Sequence, residues 1–294
     1  METRTLVIGE ALIDIVEGAD VRELVGGSPA NVAVGLARQG HAVQLLTRIG
    51  RDDRGARIAE HVASAGAALT ADSWDAPATS TARARLRSDG SAEYDFDIDW
   101  VVPPPDLAGV SLVHSGSIAL FLEPGGTTVL ETLRRAPAGA LVTVDPNIRP
   151  ALVGDRAAAL SRFTDAAAAA DLVKLSDEDA AWLLPGLVPE QALAEIATYG
   201  PRIVVMTRGG EGVIALGPRG IVEVPAHAVH VADTIGAGDA YMASLIASAL
   251  EDPELFTGAA ALERALRRAA VVAGITVSRA GADPPTRAEV DAAL

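Results

Sequence analysis

A glycine-rich turn that ends in a carboxylate occupies residues 233–239, which read DTIGAGD, and an apolar helical pattern follows it. Backbone N–H groups in the first turn of a helix have no partner within the helix, and the helix dipole adds positive potential there. The turn therefore predicts an anion site. Asp239 would repel a phosphate that only binds, but it can take a proton from a hydroxyl that attacks a phosphoryl group. The alternative is that Asp239 merely caps the helix.

A second glycine-rich segment, residues 26–31 (GGSPAN), also precedes an apolar helical pattern. Ser28 has the side chain of a helix N-cap, Pro29 fits the first helical position, and Gly40 fits the position that follows the C-cap. The segment therefore predicts a helix that begins just after Ser28 and ends before Gly40.

Composition narrows the class of protein. The chain has 294 residues, of which 49% are hydrophobic and 3% aromatic, with a formal net charge of −15. So acidic a chain is not expected to bind nucleic acid, which favours a basic surface. The absence of cysteine excludes disulfides and thiolate zinc sites. No uncharged apolar stretch approaches the ~18 residues of a membrane span, so we expect a soluble, cytoplasmic protein.

Short apolar runs alternate with longer helical patterns along most of the chain. This rhythm predicts an α/β fold, with a mostly parallel sheet covered by helices on both faces and ligands bound at the carboxyl ends of the strands. The expected strands are 5–9, 42–47, 110–114, 140–144, 171–175 and 202–207. The expected helices are 29–39, 53–65, 126–136, 155–170, 189–199, 238–250 and 260–278.

Residues 81–100 interrupt this rhythm with strict alternation of apolar and charged side chains, which predicts a β-hairpin. A three-residue loop at 88–90, with Gly90 in a left-handed conformation, brings opposite charges face to face. The expected partners are Arg85 with Glu93 and Arg83 with Asp95. A two-stranded ribbon is marginal alone, so we expect it to cover the site or a partner subunit, and residues 11–25 could supply further strands.

The two glycine-rich segments, in this order and about 200 residues apart, resemble the signatures of the ribokinase-like (PfkB) carbohydrate kinases. Residues 279–282 resemble the closing R-x-G-A of that family. The form D-P-N-x-R at 145–149, together with Lys174-x-Ser176, is closer to the fructokinase-like branch and to 2-keto-3-deoxygluconate kinases than to ribokinase itself.

The resemblance implies a three-layer α/β/α fold with a small β-sheet lid. It further implies a single kinase domain over residues 1–294, with lid segments at about 11–25 and 80–100. The activity that it implies is transfer of the γ-phosphate of ATP to a sugar hydroxyl, most closely that of a fructokinase.

Site residues follow from the same resemblance, one position at a time. Asp239 is the expected general base, and the amides of Gly236, Ala237 and Gly238 the expected anion hole. The expected sugar-binding residues are Asp14, Gly26, Gly27, Asn31, Asn147 and Arg149. The expected nucleotide-binding residues are Lys174, Ser176, Thr207, Gly209, Gly212 and Thr234.

Two carboxylates are matched to cations by the resemblance. Asp179 stands in the region that organises Mg²⁺ through water, although Ser176 and Asp179 here replace the Asn and Glu of the family pattern. Asp233 lies where relatives use K⁺ for activation. The resemblance thus implies ATP, Mg²⁺ and K⁺ as cofactors. The exposed ribbon in addition predicts a homodimer formed through the lid, because edge strands tend to be paired or covered.

Other functions fit parts of the sequence. A 2-keto-3-deoxygluconate kinase, or another sugar or nucleoside kinase of the family, is the first alternative, and a carboxylate substrate would need a cation such as Arg83, Arg85 or Arg87. A catalytically silent sugar- or nucleotide-binding regulator fits the altered Ser176 and Asp179. A dinucleotide-dependent oxidoreductase fits the βαβ rhythm but lacks the G-x-G-x-x-G fingerprint after the first strand.

Overall fold

The strands form two sheets in the computed structural model, which describes residues 4–17, 20–86 and 92–294. The strands are β1 (Arg4–Ile8), β2 (Leu12–Glu17), β3 (Val21–Gly26), β4 (Val43–Leu46), β5 (Ala68–Leu69), β6 (Thr81–Leu86), β7 (Ala92–Asp97), β8 (Val110–Gly116), β9 (Leu141–Asp145), β10 (Leu172–Ser176), β11 (Ile203–Thr207), β12 (Val213–Gly217) and β13 (Gly220–Val224).

The larger sheet has nine strands in the order β13-β12-β11-β10-β9-β8-β1-β4-β5. Every pair from β11 to β5 is parallel, whereas β12 and β13 add an antiparallel edge. All six strands expected from the apolar runs are present. Three further strands were not predicted from the sequence: β5 has only two residues, and β12 and β13 form the antiparallel edge.

Helices cover both faces of this sheet, which confirms the predicted α/β fold. They are α1 (Ser28–Arg38), α2 (Asp53–Ser64), α3 (Ser117–Phe121), α4 (Gly125–Arg134), α5 (Pro150–Val153), α6 (Arg156–Ala167), α7 (Asp177–Leu183), α8 (Pro189–Ala197), α9 (Ala237–Glu251), α10 (Ala259–Val277) and α11 (Arg287–Ala293). One core lies beneath α1, α2, α9 and α10, and a second beneath α3, α4, α6, α7 and α8. Among the described helices, none combines the length and apolar character that crossing a membrane requires.

The smaller sheet has the order β3-β2-β6-β7 and is formed by the two segments that interrupt the βα rhythm. Residues 11–25 do supply further strands, as expected. In the hairpin, Arg83 is opposite Asp95 and Arg85 is opposite Glu93, so the predicted register is confirmed. The turn expected at 88–90 lies outside the described residues.

Helices α1 and α9 pack unusually closely, because small residues face each other at their contact. A Cβ atom added to Gly35 would lie 2.8 Å from the Cβ of Ala243. Residues 239–249 of α9 are all buried. Helix α1 ends at Arg38, and Gly40 follows with a φ of 89°, the left-handed conformation expected after a helix C-terminus.

Exchanging the two small residues tests this packing. We expect Gly35→Ala to lower the free energy of unfolding by about 1–3 kcal/mol, because the added methyl overpacks the contact and outweighs the better helix propensity of alanine. Ala243→Gly alone should cost about 1 kcal/mol in helix propensity. The double variant should regain most of the loss seen in Gly35→Ala, as measured by urea denaturation. A Gly35→Ala variant as stable as the original chain would contradict the close contact.

Candidate functional site

Asp239 is the centre of the site, and α1 supplies its hydrogen-bond donors. The Ser28 hydroxyl donates to Asp239 Oδ1 at 2.6 Å, and Asn31 Nδ2 donates to Asp239 Oδ2 at 2.8 Å. The Asp239 residue is only 8% exposed, so these bonds both orient the carboxylate and compensate its burial. Its place in the first turn of α9 also lets the helix dipole stabilise its negative charge.

The expected capping role of Ser28 is wrong. Helix α1 begins at Ser28 itself, with Gly27 as the N-cap, and no side-chain hydrogen bond caps the helix. The serine hydroxyl points instead at Asp239, a residue 211 positions away in the chain. Ser28 is thus a site residue that local sequence rules assign to the wrong task.

The glycine-rich turn before α9, the expected anion hole, contains a residue in the left-handed conformation. Gly236 has a φ of 76°, and a Cβ atom there would lie 2.6 Å from that of Ala282. Helix α9 begins at Ala237, so the amides of Ala237 and Gly238 precede any intrahelical acceptor. The Ala237 amide is turned toward the Thr234 carbonyl at 3.3 Å, within a tight turn.

A buried ion pair lies beside this turn. Lys174 Nζ donates to Asp145 Oδ2 at 2.8 Å, and the two residues are 4% and 1% exposed. Burial raises the pKa of Asp145 to about 6, although the attraction of Lys174 acts in the opposite direction. Burial alone would lower the pKa of Lys174, but the attraction of Asp145, followed by that of Asp239 and Asp179, leaves it raised. Asp145 was not among the expected site residues.

The expected sugar-binding residues Asp14, Gly26 and Gly27 converge where the small sheet meets α1. A Cβ atom on Gly26 would lie 1.9 Å from Asp14 Oδ2, so only glycine leaves room for this carboxylate. Gly27 has a φ of 108°, and a Cβ atom there would lie 2.4 Å from the Glu10 carbonyl oxygen. Burial raises the pKa of Asp14 above its ordinary value, and the positive charge of Arg149 offsets only part of this rise.

Asn147 and Arg149 form a connected pair after β9. Asn147 has a φ of 36°, and its Oδ1 accepts a hydrogen bond from Arg149 Nη1 at 2.7 Å. The positive charge of Arg149 acts on Asp14 and also on Glu10, so this guanidinium lies on the same side of the site as these two carboxyl groups.

Glu10 is a second buried carboxylate that sequence reasoning missed. It follows β1, is 4% exposed, and accepts a hydrogen bond from the Ala119 amide at 3.2 Å on Oε2. Burial raises its pKa to about 7, against the lowering effects of hydrogen bonds from Ser117 and Ala119 and of the charge of Arg149. Its position just past a parallel strand, on the expected ligand edge, was the available signal.

Five of the expected nucleotide-binding residues lie in or just after β10 and β11, whereas Thr234 lies in the turn before α9. Ser176 and Thr207 are paired in register at the carboxyl ends of these two strands. Gly209 and Gly212 follow in a tight turn with φ values of 50° and 92°. A Cβ atom on Gly212 would lie 2.3 Å from the Val224 carbonyl oxygen, so the return into β12 requires glycine.

Asp179 and Asp233, the two carboxylates expected to bind cations, accept hydrogen bonds from backbone amides of separate segments. Asp179 Oδ1 accepts from the Ile148 amide at 2.7 Å, and Oδ2 accepts from the Ser176 amide at 3.0 Å. Asp233 likewise accepts from the Ile235 and Gly281 amides, at 3.0 and 2.9 Å, and these bonds lower its pKa.

Among the described residues, no group of three or more His, Cys, Asp or Glu side chains is arranged to hold a metal ion. This arrangement excludes a cage built from protein ligands alone within those residues. Each carboxylate oxygen of Asp179 accepts one backbone hydrogen bond and keeps a second lone pair.

Comparison with known proteins gives consistent matches over nearly the whole chain. A family model described as pfkB family carbohydrate kinase matches residues 3–289. Fructokinase-1 of Oryza sativa subsp. japonica is 32% identical, with 96% of this chain and 94% of that protein covered. The fructokinase of Salmonella typhimurium is also 32% identical, with coverages of 96% and 95%. A crystal structure of fructokinase with bound ATP from Xylella fastidiosa has a TM-score of 0.84 at 27% identity, covering 99% of this chain and 98% of that one.

The buried Glu10 carboxyl predicts a distinct pH dependence of stability. Its pKa is raised from 4.5 to about 7, so between these values the folded state binds more protons than the unfolded state. The free energy of unfolding should therefore fall as pH rises through this window, by at most ~1.4 kcal/mol per pH unit. Glu10→Gln removes the titration, so its stability relative to the original chain should increase from pH 5 to pH 8 in urea denaturation.

The exposed Glu60→Gln variant controls for the loss of one carboxylate. A stability difference between Glu10→Gln and the original chain that stays constant over this pH range would contradict the assignment.

Proposed function

Because the chain belongs to the pfkB family of carbohydrate kinases, we propose that it transfers the γ-phosphoryl group of ATP to a hydroxyl of fructose. The observation that carries the proposal is the Asp239 carboxylate, oriented by Ser28 and Asn31 in the first turn of α9. Fructose is supported by the fructokinases of Oryza sativa and Salmonella typhimurium. ATP is supported by the similar Xylella fastidiosa fructokinase.

Asp239 acts as the general base in this proposal. Each carboxylate oxygen accepts one hydrogen bond from α1 and keeps a second lone pair, which suffices to receive the proton of a sugar hydroxyl. Asn31 donates its amide N–H to Asp239 and keeps its own carbonyl oxygen as an acceptor for the sugar. Asp14 and the glycines at 26 and 27 hold the ring from the side of the small sheet.

The phosphoryl group meets the first turn of α9. The amides of Gly236, Ala237 and Gly238, aided by the helix dipole, stabilise the charge that develops on the transferred group. Arg149 and Asn147 lie on the sugar side of this position. The nucleotide extends past Lys174, Ser176, Thr207 and Thr234, with Gly209 and Gly212 shaping the turn along which it lies.

Cations complete the proposed site. Asp179 would hold Mg²⁺ through water, and the ion would neutralise charge on the phosphates of ATP. K⁺ beside Asp233 supports the loop that Asp233 ties to Gly281. Replacing K⁺ with tetramethylammonium, and removing Mg²⁺ with a chelator, tests each ion by the initial rate of ADP formation.

Assembly and location extend the proposal. The edge strand β3 exposes Val21 and Leu24, which are 66% and 47% accessible, and this supports a homodimer through the small sheet. Light scattering tests the dimer, and a monomer at assay concentration would contradict it. We also propose a single kinase domain over residues 1–294 and a cytoplasmic location.

One observation bears on the alternative substrate 2-keto-3-deoxygluconate. That substrate needs a cation for its carboxylate, but the guanidinium of Arg83 donates to the Glu17 carboxylate of the neighbouring strand. The sequence candidate Arg83 is therefore already engaged, whereas nothing is described of the Arg85 side chain or of residue 87.

A substrate panel tests the proposed acceptor. With ATP and Mg²⁺ present, we expect the highest kcat/KM for fructose among fructose, 2-keto-3-deoxygluconate, ribose and adenosine, measured by coupled ADP detection. A tenfold preference corresponds to about 1.4 kcal/mol of transition-state stabilisation. A preference for 2-keto-3-deoxygluconate would replace the proposed acceptor, and ADP formation with none of the four would favour the silent regulator.

Removing the base is the second test of the proposed function. Asp239→Asn keeps the shape of the side chain but cannot take a proton, so kcat should fall about 100- to 10,000-fold while the KM for fructose changes little. The matched control is Asp165→Asn, which alters a half-exposed carboxylate paired with Arg134 on α4. Turnover near that of the original chain in Asp239→Asn would exclude general-base catalysis by this residue.

A further inference from the structure

Three neighbouring elements bring the buried ion pair of Asp145 and Lys174 to the first turn of α9. Asp145 ends β9, and Lys174 lies within β10, the adjacent parallel strand. Along β10, Leu172 belongs to the core beneath α1, α9 and α10, whereas Val173 and Leu175 belong to the opposite core. Alternation along a strand therefore directs Lys174 toward α9. A Cβ atom added to Gly238 would lie 3.0 Å from Lys174 Nζ.

This position is unfavourable for an ammonium group that only stabilises the fold. The N-terminus of a helix carries positive potential, which favours anions and opposes a cation. Lys174 is also almost fully buried, so it has lost much of its hydration. The charges of Asp145, Asp239 and Asp179 compensate both effects. A further anion held between α9 and Lys174 would be attracted by the ammonium group and by the helix.

The ion pair keeps unused hydrogen-bonding capacity on both sides. An ammonium group has three donors, and within residues 4–17, 20–86 and 92–294 the Lys174 ammonium has one protein acceptor, Asp145 Oδ2. In the same residues, Asp145 Oδ1 is buried and has no hydrogen-bond partner. Buried polar atoms of this kind are rare in native folds and call for an explanation beyond stability.

We infer that Asp145 is a positioning residue, which holds the Lys174 ammonium group against the first turn of α9 so that it contacts the terminal phosphoryl group of the nucleotide. This inference rests on the proposed function and deepens it. Asp145 itself does not contact the substrate. Its carboxylate accepts one hydrogen bond from Lys174 and so fixes the position of the ammonium group. The two remaining N–H donors of Lys174 then donate to the phosphoryl group together with the backbone amides of the anion hole.

A double-mutant comparison separates this role from a structural one. The proteins are the original full-length chain, Asp145→Asn, Lys174→Met and the double variant, with free energy of unfolding, kcat and the KM for fructose measured for each. The single variants leave one polar partner buried and unpaired, so each should lose stability. The double variant removes both charges and should recover much of that stability. Its kcat should nevertheless remain about 100-fold low, the usual effect of losing one donor to a transition-state oxyanion.

Binding measurements give a readout that does not depend on turnover. By calorimetry, Lys174→Met and the double variant should bind ATP about tenfold more weakly than the original chain, because they lose about 1.4 kcal/mol of phosphate binding. Both variants should bind adenosine as tightly as the original chain does. The KM for fructose should stay within about threefold. Asp171→Asn is the matched control, because Asp171 accepts from the Val142 amide at the opposite end of the same two strands. It should lose stability without losing kcat.

Two results would overturn the inference: recovery of the original kcat in the double variant, or an unchanged ATP affinity in Lys174→Met and the double variant. The double variant decides the question if a single variant does not fold. If the original chain phosphorylates no sugar, the proposed function is wrong. The inference about Lys174 is then tested by binding alone, by whether the variants lose affinity for ATP but not for adenosine.

Discussion

The site depends on one requirement, which is that a buried carboxylate must have hydrogen-bond donors. Asp239 receives both of its donors from the first turn of α1, more than 200 positions away in the chain. This is possible because Gly35 and Ala243 let α1 and α9 approach closely, so that the two helix N-termini meet above the sheet. The packing of small residues in the middle of two helices thus sets the geometry of the Asp239 carboxylate at their ends.

Charge at the carboxyl edge of the sheet is organised around two cations. Arg149 acts on the carboxyl groups of Glu10 and Asp14, on the side of the small sheet. Lys174 acts on a second group of carboxylates, which comprises Asp145, Asp179 and Asp239. In the proposed function, the first group offers acceptors for the hydroxyls of a sugar. The second group lies around the helix turn proposed to meet a phosphate, and there the lysine offsets acids that would repel it.

Most of the fold could be predicted from the sequence, because long parallel strands and their helices are buried along continuous apolar runs. The hairpin register also followed from charge pairing, since a one-residue shift would have mixed its two faces. The elements that escaped prediction are short or lie at one edge of the sheet. Helix α7 has only seven residues and is set by a capping box between Ser176 and Asp179, and β12 and β13 form an edge hairpin whose tight turn joins Gly217 to Gly220.

Within the site, motifs located the right segments but could not assign every side chain to its partner. Ser28 satisfies the local rule for an N-cap, yet the helix begins one residue earlier than expected and its hydroxyl serves Asp239 instead. Asp145 begins the D-P-N-x-R segment but was not singled out within it, and Glu10 belongs to no motif. The burial of both carboxylates becomes visible only when neighbouring strands are placed side by side. In each case a contact between distant segments decides the role. The chemistry of this site therefore belongs to the assembled sheet edge more than to any single signature.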